Sequence, residues 1–507
     1  MRVYVKNTNA KLTGDESGKV KHVIWGDWLD VSETTPPSSS YVVHWKSWNS
    51  KTNVVTVVDY KIKKSECQAD PLLEMIFLDV GQGDGCIVSV PDGNSHKHII
   101  VDAGPGSNMS RFMRWKTRGL TEGTALHAAI ITHSDEDHYG GFQPIFDESA
   151  YSFEVVYHNG LVERVAPSNE TLFGARASGF CTDIIKDKAA LTALLTPPAV
   201  RGRKLYPKLM WTALSAPARF GNIVMASTLT GAQVSGKTYL PGFTPSATGQ
   251  PSIEILGPVP EPSANKLRLR EFGEAPNDGK FNAGKTKNGH SVILKMEYAN
   301  FSAIFGGDLN RPAEDYLLRH YGGIGLDRPL ADAVTEARKR FSADLLKCCH
   351  HGSADVTDEF LKSVSPFAYV LSSGDEESHV HPRPEILGLL GKMGRGKRPL
   401  VLCTEMLRST PESRSLSPAE DKEIERLMDA VDAAPDSASR KAMRAKVRDF
   451  WNRRFKRLVN VYGAINIRTD GKKMIVAFLK EKKATGSPWQ TYEFAFGQGV
   501  WKGGEVI

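Results

Sequence analysis

The chain has 507 residues, of which 40% are hydrophobic and 24% charged, the composition of an ordinary globular protein with about two to four domains. The sequence has no run near the roughly 18 apolar residues of a membrane helix, and its first residues lack the apolar core of a signal peptide, so we expect a cytoplasmic protein without a membrane partner. The net charge of +7 allows a polyanionic partner but does not require one.

Residues 1–68 are predicted to form a small all-β module. Short alternating runs at 41–45 and 54–60 are separated by turn-rich pieces, a pattern typical of the strands of an SH3-like barrel. The module contains four tryptophans, namely Trp25, Trp28, Trp45 and Trp48. They favour the core of a small domain, and the alternative is a binding platform of exposed aromatic rings.

Residues 69–410 are predicted to form the catalytic domain. Apolar runs at 75–80, 86–90, 99–101 and 128–131 predict buried strands, and glycine, aspartate or histidine residues follow them. Strands that stop at polar residues place functional groups at one edge of a sheet. We therefore expect the site at the edge where these strands end.

The segment 132–138 (THSDEDH) is the candidate metal-binding loop. His133, Asp135, Asp137 and His138 fall within six residues after a buried strand. The pair His133 and Asp135 could serve one metal, and the adjacent pair Asp137 and His138 another. Imidazole and carboxylate donors suit zinc, manganese or iron. The alternative, an acidic solvated turn with incidental histidines, is less favoured because a buried strand ends here.

Residues 411–457 are predicted to be a charged helical insertion, with Ser417 as N-cap and Pro418 at the first helical position. Its second half is basic and is a weak candidate for nucleic-acid binding, the alternative being a solvated helix face. The candidate residues are Arg440, Arg444, Arg448, Arg453, Arg454 and Lys456. Residues 458–507 are predicted to contain the closing strands of the catalytic domain and a C-terminal tail.

The loop 132–138 resembles the HxHxDH signature of the metallo-β-lactamase superfamily. Aspartate at 135, in place of the second histidine, matches the branch typified by the soluble hydrolase domain of ComEC-type DNA-uptake proteins. Further segments resemble that branch in the same order: 75–85 (MIFLDVGQGDG), 99–104 (IIVDAG), 288–294 (NGHSVIL), 305–309 (FGGDL) with Glu314, 350–353 (HHGS) and 381–382. The resemblance implies an α+β fold, the metallo-β-lactamase αββα sandwich, between the N-terminal module and the helical insertion.

The resemblance also implies the roles of several residues. His133 and Asp135 would hold one metal ion, Asp137 and His138 the other, and Asp308 would bridge the two. The third ligand of the first metal would be His290, with His158 as a rival, and His381 would complete the second metal. One of His350 and His351 would lie within reach of the substrate, beside Asp137. Asp79, Asp84 and Asp102 would orient the metal-binding imidazoles, or else cap glycine-rich turns.

The implied activity is that of a metal-dependent hydrolase of phosphodiester bonds, a nuclease acting on DNA or RNA through two divalent ions, zinc or manganese. One alternative is a phosphodiesterase acting on small phosphoesters or signalling nucleotides. A second alternative, from another functional class, is a non-catalytic interaction protein on the same fold. Nucleic acid is the expected partner, and a protein partner could bind the N-terminal module or the arm at 411–457.

Overall fold

The computed structural model of the chain describes a defined set of residues. They are 1–14, 18–33, 38–49, 52, 54–117, 123–246, 249–263, 266–374, 381–396, 398–404, 417–454, 464–480 and 486–506, without the side chains of 421, 448–449, 451–454 and 505–506.

The described strands and helices alternate in the central part of the chain. The strands are β1 Arg2–Val5, β2 Asn9–Gly14, β3 Val20–Ile24, β4 Trp28–Ser32, β5 Ser40–Asn49, β6 Val54–Lys63, β7 Cys67–Gln68, β8 Leu73–Phe77, β9 Gly85–Asp92, β10 Ser95–Ala103, β11 Thr124–Ile130, β12 Tyr151–His158, β13 Arg176–Ala177, β14 Phe180–Cys181, β15 Phe220–Met225, β16 Ala232–Val234, β17 Lys237–Tyr239, β18 Ser252–Gly257, β19 Glu261–Ser263, β20 Lys266–Arg270, β21 Ile293–Tyr298, β22 Phe301–Phe305, β23 Leu345–Lys347, β24 Ala368–Leu371, β25 Leu400–Cys403, β26 Ile465–Thr469, β27 Lys473–Leu479, β28 Trp489–Gly497 and β29 Val500–Val506. The α-helices are α1 Asn108–Lys116, α2 Glu136–Tyr139, α3 Phe142–Asp147, α4 Lys188–Leu195, α5 Pro198–Arg201, α6 Leu205–Leu214, α7 Ala283–Gly289, α8 Arg311–Gly322, α9 Val334–Phe341, α10 Asp358–Val364, α11 Pro384–Met393, α12 Pro418–Asp432 and α13 Ser437–Arg454.

The N-terminal strands form a seven-stranded sheet in the order β3-β2-β6-β5-β4-β1-β7. Alternating residues of its strands, among them Leu12, Leu29 and Val43, are fully buried in a core of their own. This all-β arrangement agrees with the alternating pattern of residues 1–68. Trp25 is buried at the contact between this sheet and the strands β26–β28.

Two larger sheets pack face to face. One has ten strands in the order β15-β12-β11-β10-β9-β8-β26-β27-β28-β29, and the other eight in the order β16-β17-β18-β21-β22-β23-β24-β25. Their inner faces share one hydrophobic core, in which the rings of Phe77 and Phe305 stack with centroids 5.9 Å apart. A second core joins the ten-stranded sheet to α1, α3, α4 and α6, and a third joins the eight-stranded sheet to α8–α11. The expected α+β, αββα sandwich is confirmed.

Parallel strands in both sheets end at the same edge of the sandwich. β10, β11, β12 and β15 run parallel in one sheet, and β22, β23, β24 and β25 run parallel in the other. Loops after β11, β22 and β23 lead to His133, Asp308 and His351 respectively. Because carboxyl ends of parallel strands meet at one edge, residues far apart in sequence converge there.

The C-terminal helices follow the predicted pattern. The Ser417 side chain accepts a hydrogen bond from the Glu420 backbone, and Glu420 reaches back to the Ser417 N–H, so the predicted cap is confirmed. Arg440 and Arg444 are exposed on α13. Lys456 and the side chains of Arg448, Arg453 and Arg454 lie outside the described part of the chain. The predicted boundaries at 410 and 457 also fall there and stay predictions, as does the one at 68.

No helix in the described ranges combines the length and the apolar character that crossing a bilayer requires.

Candidate metal centre

The loop after β11 is fixed by a buried carboxylate on the neighbouring strand. Asp102, at the end of β10, accepts hydrogen bonds from the Thr132 backbone N–H at 2.8 Å and from the Thr132 hydroxyl at 2.7 Å. Its φ of 53° lies in the left-handed region, which is costly for a residue other than glycine. The short helix α2 then begins after Asp135 and directs His138 inward.

Four buried or half-buried side chains converge at this edge: Asp137, His138, Asp308 and His351, here called the four-residue cluster. The Nε2 atom of His138 lies 3.3 Å from the Nε2 atom of His351 and 3.2 Å from Oδ1 of Asp308. The Nε2 atom of His351 also lies 3.3 Å from Oδ2 of Asp137 and 3.3 Å from Oδ2 of Asp308. Donors about 2.1 Å from one tetrahedral ion would lie about 3.4 Å apart, so these spacings fit a metal ion.

His133 and Asp135 form a second group of donors beside this cluster. The Nε2 atom of His133 lies 3.4 Å from Oδ2 of Asp135 and 4.0 Å from Oδ2 of Asp308. Asp308 therefore lies between the two groups. This is the position that a bridging carboxylate requires.

Two buried atoms test whether these residues suit a metal. Among the described residues, neither Nε2 of His133 nor Oδ1 of Asp308 makes a hydrogen bond of suitable geometry, although both side chains are buried and the two atoms lie 3.4 Å from Asp135 and 3.2 Å from His138, respectively. An unpaired buried polar atom costs about 1–3 kcal/mol, and a divalent cation would satisfy both atoms. Imidazole nitrogen and carboxylate oxygen suit zinc and manganese. The donor set therefore fits a metal centre.

The electrostatics of the cluster also favour cations. Burial lowers the pKa of His138, but the carboxylates of Asp308 and Asp102 raise it well above its ordinary value. Burial likewise lowers the pKa of His351, while Asp308 and Asp84 raise it well above the ordinary value. Both imidazoles thus lie in a strongly negative environment that would stabilise bound cations.

Each metal-facing imidazole has its other nitrogen held by a neighbour. The Nδ1 atom of His138 lies 2.8 Å from Oδ2 of Asp102. The Nδ1 atom of His133 lies 3.3 Å from the Ser291 hydroxyl. The Nδ1 atom of His351 lies 3.0 Å from the Ser372 carbonyl oxygen and 3.2 Å from Oδ1 of Asp84. Such contacts fix the ring orientation, so Nε2 is the atom presented to a metal.

The Asp84 carboxylate could bind a metal ion, but it also forms an ion pair. It belongs, with His138, Asp308 and His351, to a group whose donor atoms all lie within 4.8 Å of one another. Its Oδ2 atom, however, contacts the ammonium of Lys347, which is itself 4% exposed. Because Asp84 faces the Nδ1 side of His351, we assign it an orienting role. Burial by itself would raise the pKa of Asp84. The charges of Lys347 and His351 outweigh this effect and lower the pKa to about 2.

The first-site aspartate has two partners that the sequence did not indicate. The ammonium of Lys287 contacts Oδ1 of Asp135 and lies 3.0 Å from Oε1 of Glu163. In the amide orientation that satisfies its neighbours, Asn288 donates to Oδ2 of Asp135 at 2.9 Å. The Lys287 side chain is only 12% exposed. A lysine charge therefore lies directly beside a predicted metal ligand.

A left-handed turn after β23 brings His351 into the cluster. His350, His351 and Gly352 have φ angles of 48°, 53° and 85°. Two consecutive histidines in this region store strain on the order of 1–3 kcal/mol each, which is typical of functional sites. His350 remains at the mouth of the centre, with a side chain 28% exposed and Nε2 3.9 Å from Oδ2 of Asp308.

The turn separates His351 from His381. His381 is half-buried, and its ring centroid lies 6.0 Å from that of His350, outside the four-residue cluster. The left-handed backbone directs the His351 ring toward Asp308, so Nε2 of His351 lies among the clustered donors. Of the two histidines predicted to include one within reach of the substrate, His350 is the more exposed.

Neither candidate for the third ligand of the first site joins the centre. The Nε2 atom of His290 donates to the Arg270 carbonyl at 2.7 Å, and its ring packs against Phe272 with centroids 4.8 Å apart. Burial lowers the pKa of His290 to about 4, so the ring is neutral. His158 is fully buried, and its Nδ1 accepts the Gly160 backbone N–H at 3.1 Å. Among the described residues, Nε2 of His158 has no hydrogen-bond partner, but neither histidine lies in the four-residue cluster. That one of them is the third ligand stays a prediction.

The glycine-rich turn after β8 packs directly on the metal-binding loop. The Oδ1 atom of Asp79 accepts the Gly81 backbone N–H at 3.1 Å, so Asp79 caps this turn. A Cβ atom on Gly83, whose φ is 135°, would lie 2.1 Å from the Asp137 carbonyl oxygen. Only glycine permits this approach.

Comparison with known proteins agrees with this geometry. Residues 88–162 match the family model described as the Metallo-beta-lactamase superfamily, from β9 through the metal-binding loop to the residues just after β12. This part of the chain is therefore similar to a metallo-β-lactamase domain. It is also similar to ComE operon protein 3 of Bacillus subtilis (strain 168), with 30% identity over 333 residues, which is 62% of this chain. The match spans only 30% of that protein's length.

A likeness to one solved structure is weaker. Igni18, described as a novel metallo hydrolase from the hyperthermophilic archaeon Ignicoccus hospitalis, shares 13% sequence identity, and the alignment covers 66% of this chain and 95% of that one. The TM-score is 0.29, so this likeness supports no statement about the present chain.

Proposed function

We propose that the chain is a metal-dependent phosphodiesterase that acts as a nuclease on DNA or RNA. The single observation that supports this most directly is the cluster of His138, His351, Asp137 and Asp308, in which each residue has a donor atom 3.2–3.3 Å from a donor atom of another, beside His133 and Asp135. The group lies at the edge of the sandwich where the parallel strands end, and Asp137 and His350 are partly exposed there.

In this proposal the centre would hold two divalent cations, zinc or manganese. The four-residue cluster would hold one and His133 and Asp135 the other, with Asp308 between the two groups of donors. When bound, the cations supply an activated water and neutralise negative charge on a phosphoryl group. Asp135, as a carboxylate, makes the first site harder than a histidine would and favours manganese there.

In this proposal His350 and Asp137 are the side chains of the centre that contact the substrate. Their side chains are 28% and 32% exposed, whereas His133, His138 and His351 are at most 1% exposed. Burial lowers the pKa of His350 below its ordinary value, so its ring is neutral at pH 7 and can accept or share a proton at the substrate oxygen. The buried residues around it fix positions and exclude water.

Nucleic acid is the substrate class for three reasons. The resemblance to the hydrolase domain of DNA-uptake proteins implies it, and ComE operon protein 3 is a matching relative. The chain has a net charge of +7. Arg440, Lys441 and Arg444 are exposed on α13, where they could contact phosphates.

The test is a cleavage panel with purified, metal-loaded protein. Linear and plasmid DNA, single-stranded DNA and RNA are incubated with Mn²⁺ or Zn²⁺, with the wild type, with Asp137→Ala and with His320→Ala, an exposed histidine of α8, as control. We expect cleavage by the wild type and the control and none by Asp137→Ala. Intact nucleic acid under every metal would overturn the proposal. Turnover of bis(p-nitrophenyl) phosphate in that case would indicate a phosphodiesterase of small esters instead.

A further inference from the structure

A groove rich in tryptophan lies between the N-terminal sheet and the ten-stranded sheet. It consists of two adjoining cavities of about 390 Å³ and about 270 Å³, which share Trp28, Lys46 and Lys116. We call it the tryptophan groove. The larger cavity is lined by five of the nine tryptophans of the chain, namely Trp28, Trp45, Trp48, Trp115 and Trp489.

These tryptophans differ from a core tryptophan in exposure. Trp25, in the same module, is 4% exposed and packs against Leu72 and Ile475. Trp28, Trp45 and Trp48 are only half-buried, and Trp115, on α1, is 39% exposed. Both interpretations of the N-terminal tryptophans therefore apply, one to Trp25 and the other to the rings that line the groove.

The groove has an excess of positive charge. Its two cavities are lined by five cationic side chains, Arg2, Lys21, Lys46, Lys116 and Arg468, against three acidic ones, Asp27, Asp30 and Glu74. Each acid contacts a cation, and Glu74 contacts two, Arg468 and Lys116. Arg468 lies 2.9 Å from Asp27 and 2.8 Å from Glu74, and Arg2 lies 3.5 Å from Asp30.

Cations and aromatic rings are also interleaved. The Lys21 ammonium lies 4.2 Å from the centroid of the Trp45 ring, and the Arg2 guanidinium lies 4.7 Å from that of Trp28. Lys46 follows Trp45 on β5, is exposed and lines both cavities. An apolar partner would match only the aromatic rings and a purely anionic partner only the cations, whereas a chain of anionic groups with planar rings matches both.

We propose that the tryptophan groove binds single-stranded nucleic acid, with bases stacked on the tryptophans and phosphates beside Lys46 and Lys21. A duplex cannot bind in this way, because its bases are already stacked on one another and have no free face for the tryptophan rings. The proposal rests on the proposed function, since it names the nucleic-acid form that the enzyme would recognise.

The groove and the metal centre lie at opposite ends of the same strands. Thr124, the first residue of β11, lines the smaller cavity, and β11 ends at Ile130, three residues before His133. At about 3.3 Å per residue, the two ends of this strand are roughly 20 Å apart. The nucleotides held in the groove are therefore not those being cleaved, and the groove acts as an anchor for a longer strand.

Binding is measured by fluorescence anisotropy on the full chain kept metal-free with EDTA. The probe is a labelled oligothymidylate of about a dozen nucleotides, compared with a duplex of equal length. The variants are Lys46→Glu and Trp115→Ala, both at exposed positions. Lys63→Glu is the matched control, because Lys63 is exposed on the same N-terminal sheet and lines neither cavity. Circular dichroism verifies that each variant is folded.

We expect the oligothymidylate to bind more tightly than the duplex. Trp115→Ala should weaken binding roughly 5- to 150-fold, the effect of losing one stacked base. Lys46→Glu should weaken binding and make the logarithmic salt dependence shallower by about 0.7, the value of one phosphate contact on a single strand. Lys63→Glu should bind as the wild type does.

Equal affinity of Trp115→Ala and wild type for the oligothymidylate would overturn the proposal, as would tighter binding of the duplex. The metal-free assay separates this result from the proposed function. Cleavage without groove binding would contradict the proposed anchor and support the nuclease. Groove binding without cleavage under any metal would contradict the nuclease and support the groove as a binding site.

Discussion

The Oδ2 atom of Asp102 lies 2.8 Å from Nδ1 of His138 in an environment closed to solvent. Asp102 also binds the backbone N–H and hydroxyl of Thr132, so one carboxylate fixes both the start of the metal-binding loop and the orientation of one of its imidazoles. The centre therefore depends on a residue of a different strand, β10.

Asp102→Asn should weaken metal binding about 10- to 100-fold, because an amide cannot hold His138 with the same charge and tautomer. The affinity is measured by competition with a fluorescent chelator. Asp147→Asn, at an exposed position of α3, is the control and should bind metal as the wild type does. Unchanged affinity in Asp102→Asn would show that Asp102 only caps the loop.

His351→Ala and His381→Ala distinguish the two histidines. Since Nε2 of His351 lies 3.3 Å from Nε2 of His138, its loss should remove about one bound metal per chain and reduce activity at least about 100-fold. His381→Ala should retain the full metal content, as measured by elemental analysis of dialysed protein. A metal deficit confined to His381→Ala would reverse the assignment made from the turn at His350–Gly352.

Lys287→Gln should raise the affinity of the first metal site about tenfold or more. The ammonium contacts Asp135 and competes with a cation there, and two unit charges 4 Å apart interact by about 4 kcal/mol at an effective dielectric constant of 20. Isothermal titration with Mn²⁺ resolves the two sites. Lys204→Gln is the matched control, since Lys204 lies 3.8 Å from Glu163, the other partner of Lys287. Weaker binding in Lys287→Gln would mean that the lysine supports the site.

Glu314 should make stability depend on pH. Burial raises its pKa to about 8, despite hydrogen bonds from the Thr357 backbone and hydroxyl. The folded chain therefore keeps a proton that the unfolded chain releases near pH 4.5, so the free energy of unfolding falls as pH rises from about 5 to 8.

Glu314→Gln removes this dependence. Urea denaturation measures the free energy of unfolding of both proteins. Between pH 5 and pH 8 the difference between Glu314→Gln and wild type should shift in favour of the variant by up to about 4 kcal/mol, at about 1.4 kcal/mol per pH unit. Glu336→Gln, at an exposed position, should show no such gain. Parallel pH profiles for Glu314→Gln and wild type would contradict a protonated Glu314.

The sequence predicted the parts of the centre that follow directly from a strand. The loop with His133, Asp135, Asp137 and His138 leaves β11, and Asp308 follows β22 after a glycine pair, so their order along the chain indicated their meeting point. The αββα sandwich was predicted from the resemblance of several motifs, in the same order, to the metallo-β-lactamase superfamily, whereas the apolar runs by themselves predicted only the buried strands.

The roles of the other residues depend on ring orientation, backbone conformation and contacts between residues distant in sequence. The order of residues does not reveal these features. His290 lies in the matching motif, yet its ring turns to Phe272 and the Arg270 carbonyl. His351 enters the cluster through a left-handed backbone, which only the surrounding packing imposes. Lys347 and Asp84 meet across 263 residues of sequence. Ser291 could have been suspected from the NGHS segment, whereas nothing in the sequence singled out Ser372.

The most direct test of the metal centre is a crystal structure of Mn²⁺-loaded protein with anomalous scattering recorded near the manganese edge. We predict an anomalous peak within about 2.0–2.3 Å of Nε2 of His138 and of His351, with Asp137 and Asp308 as further ligands, and a weaker peak beside His133 and Asp135. Absence of density between the two imidazoles at full manganese loading would contradict the account.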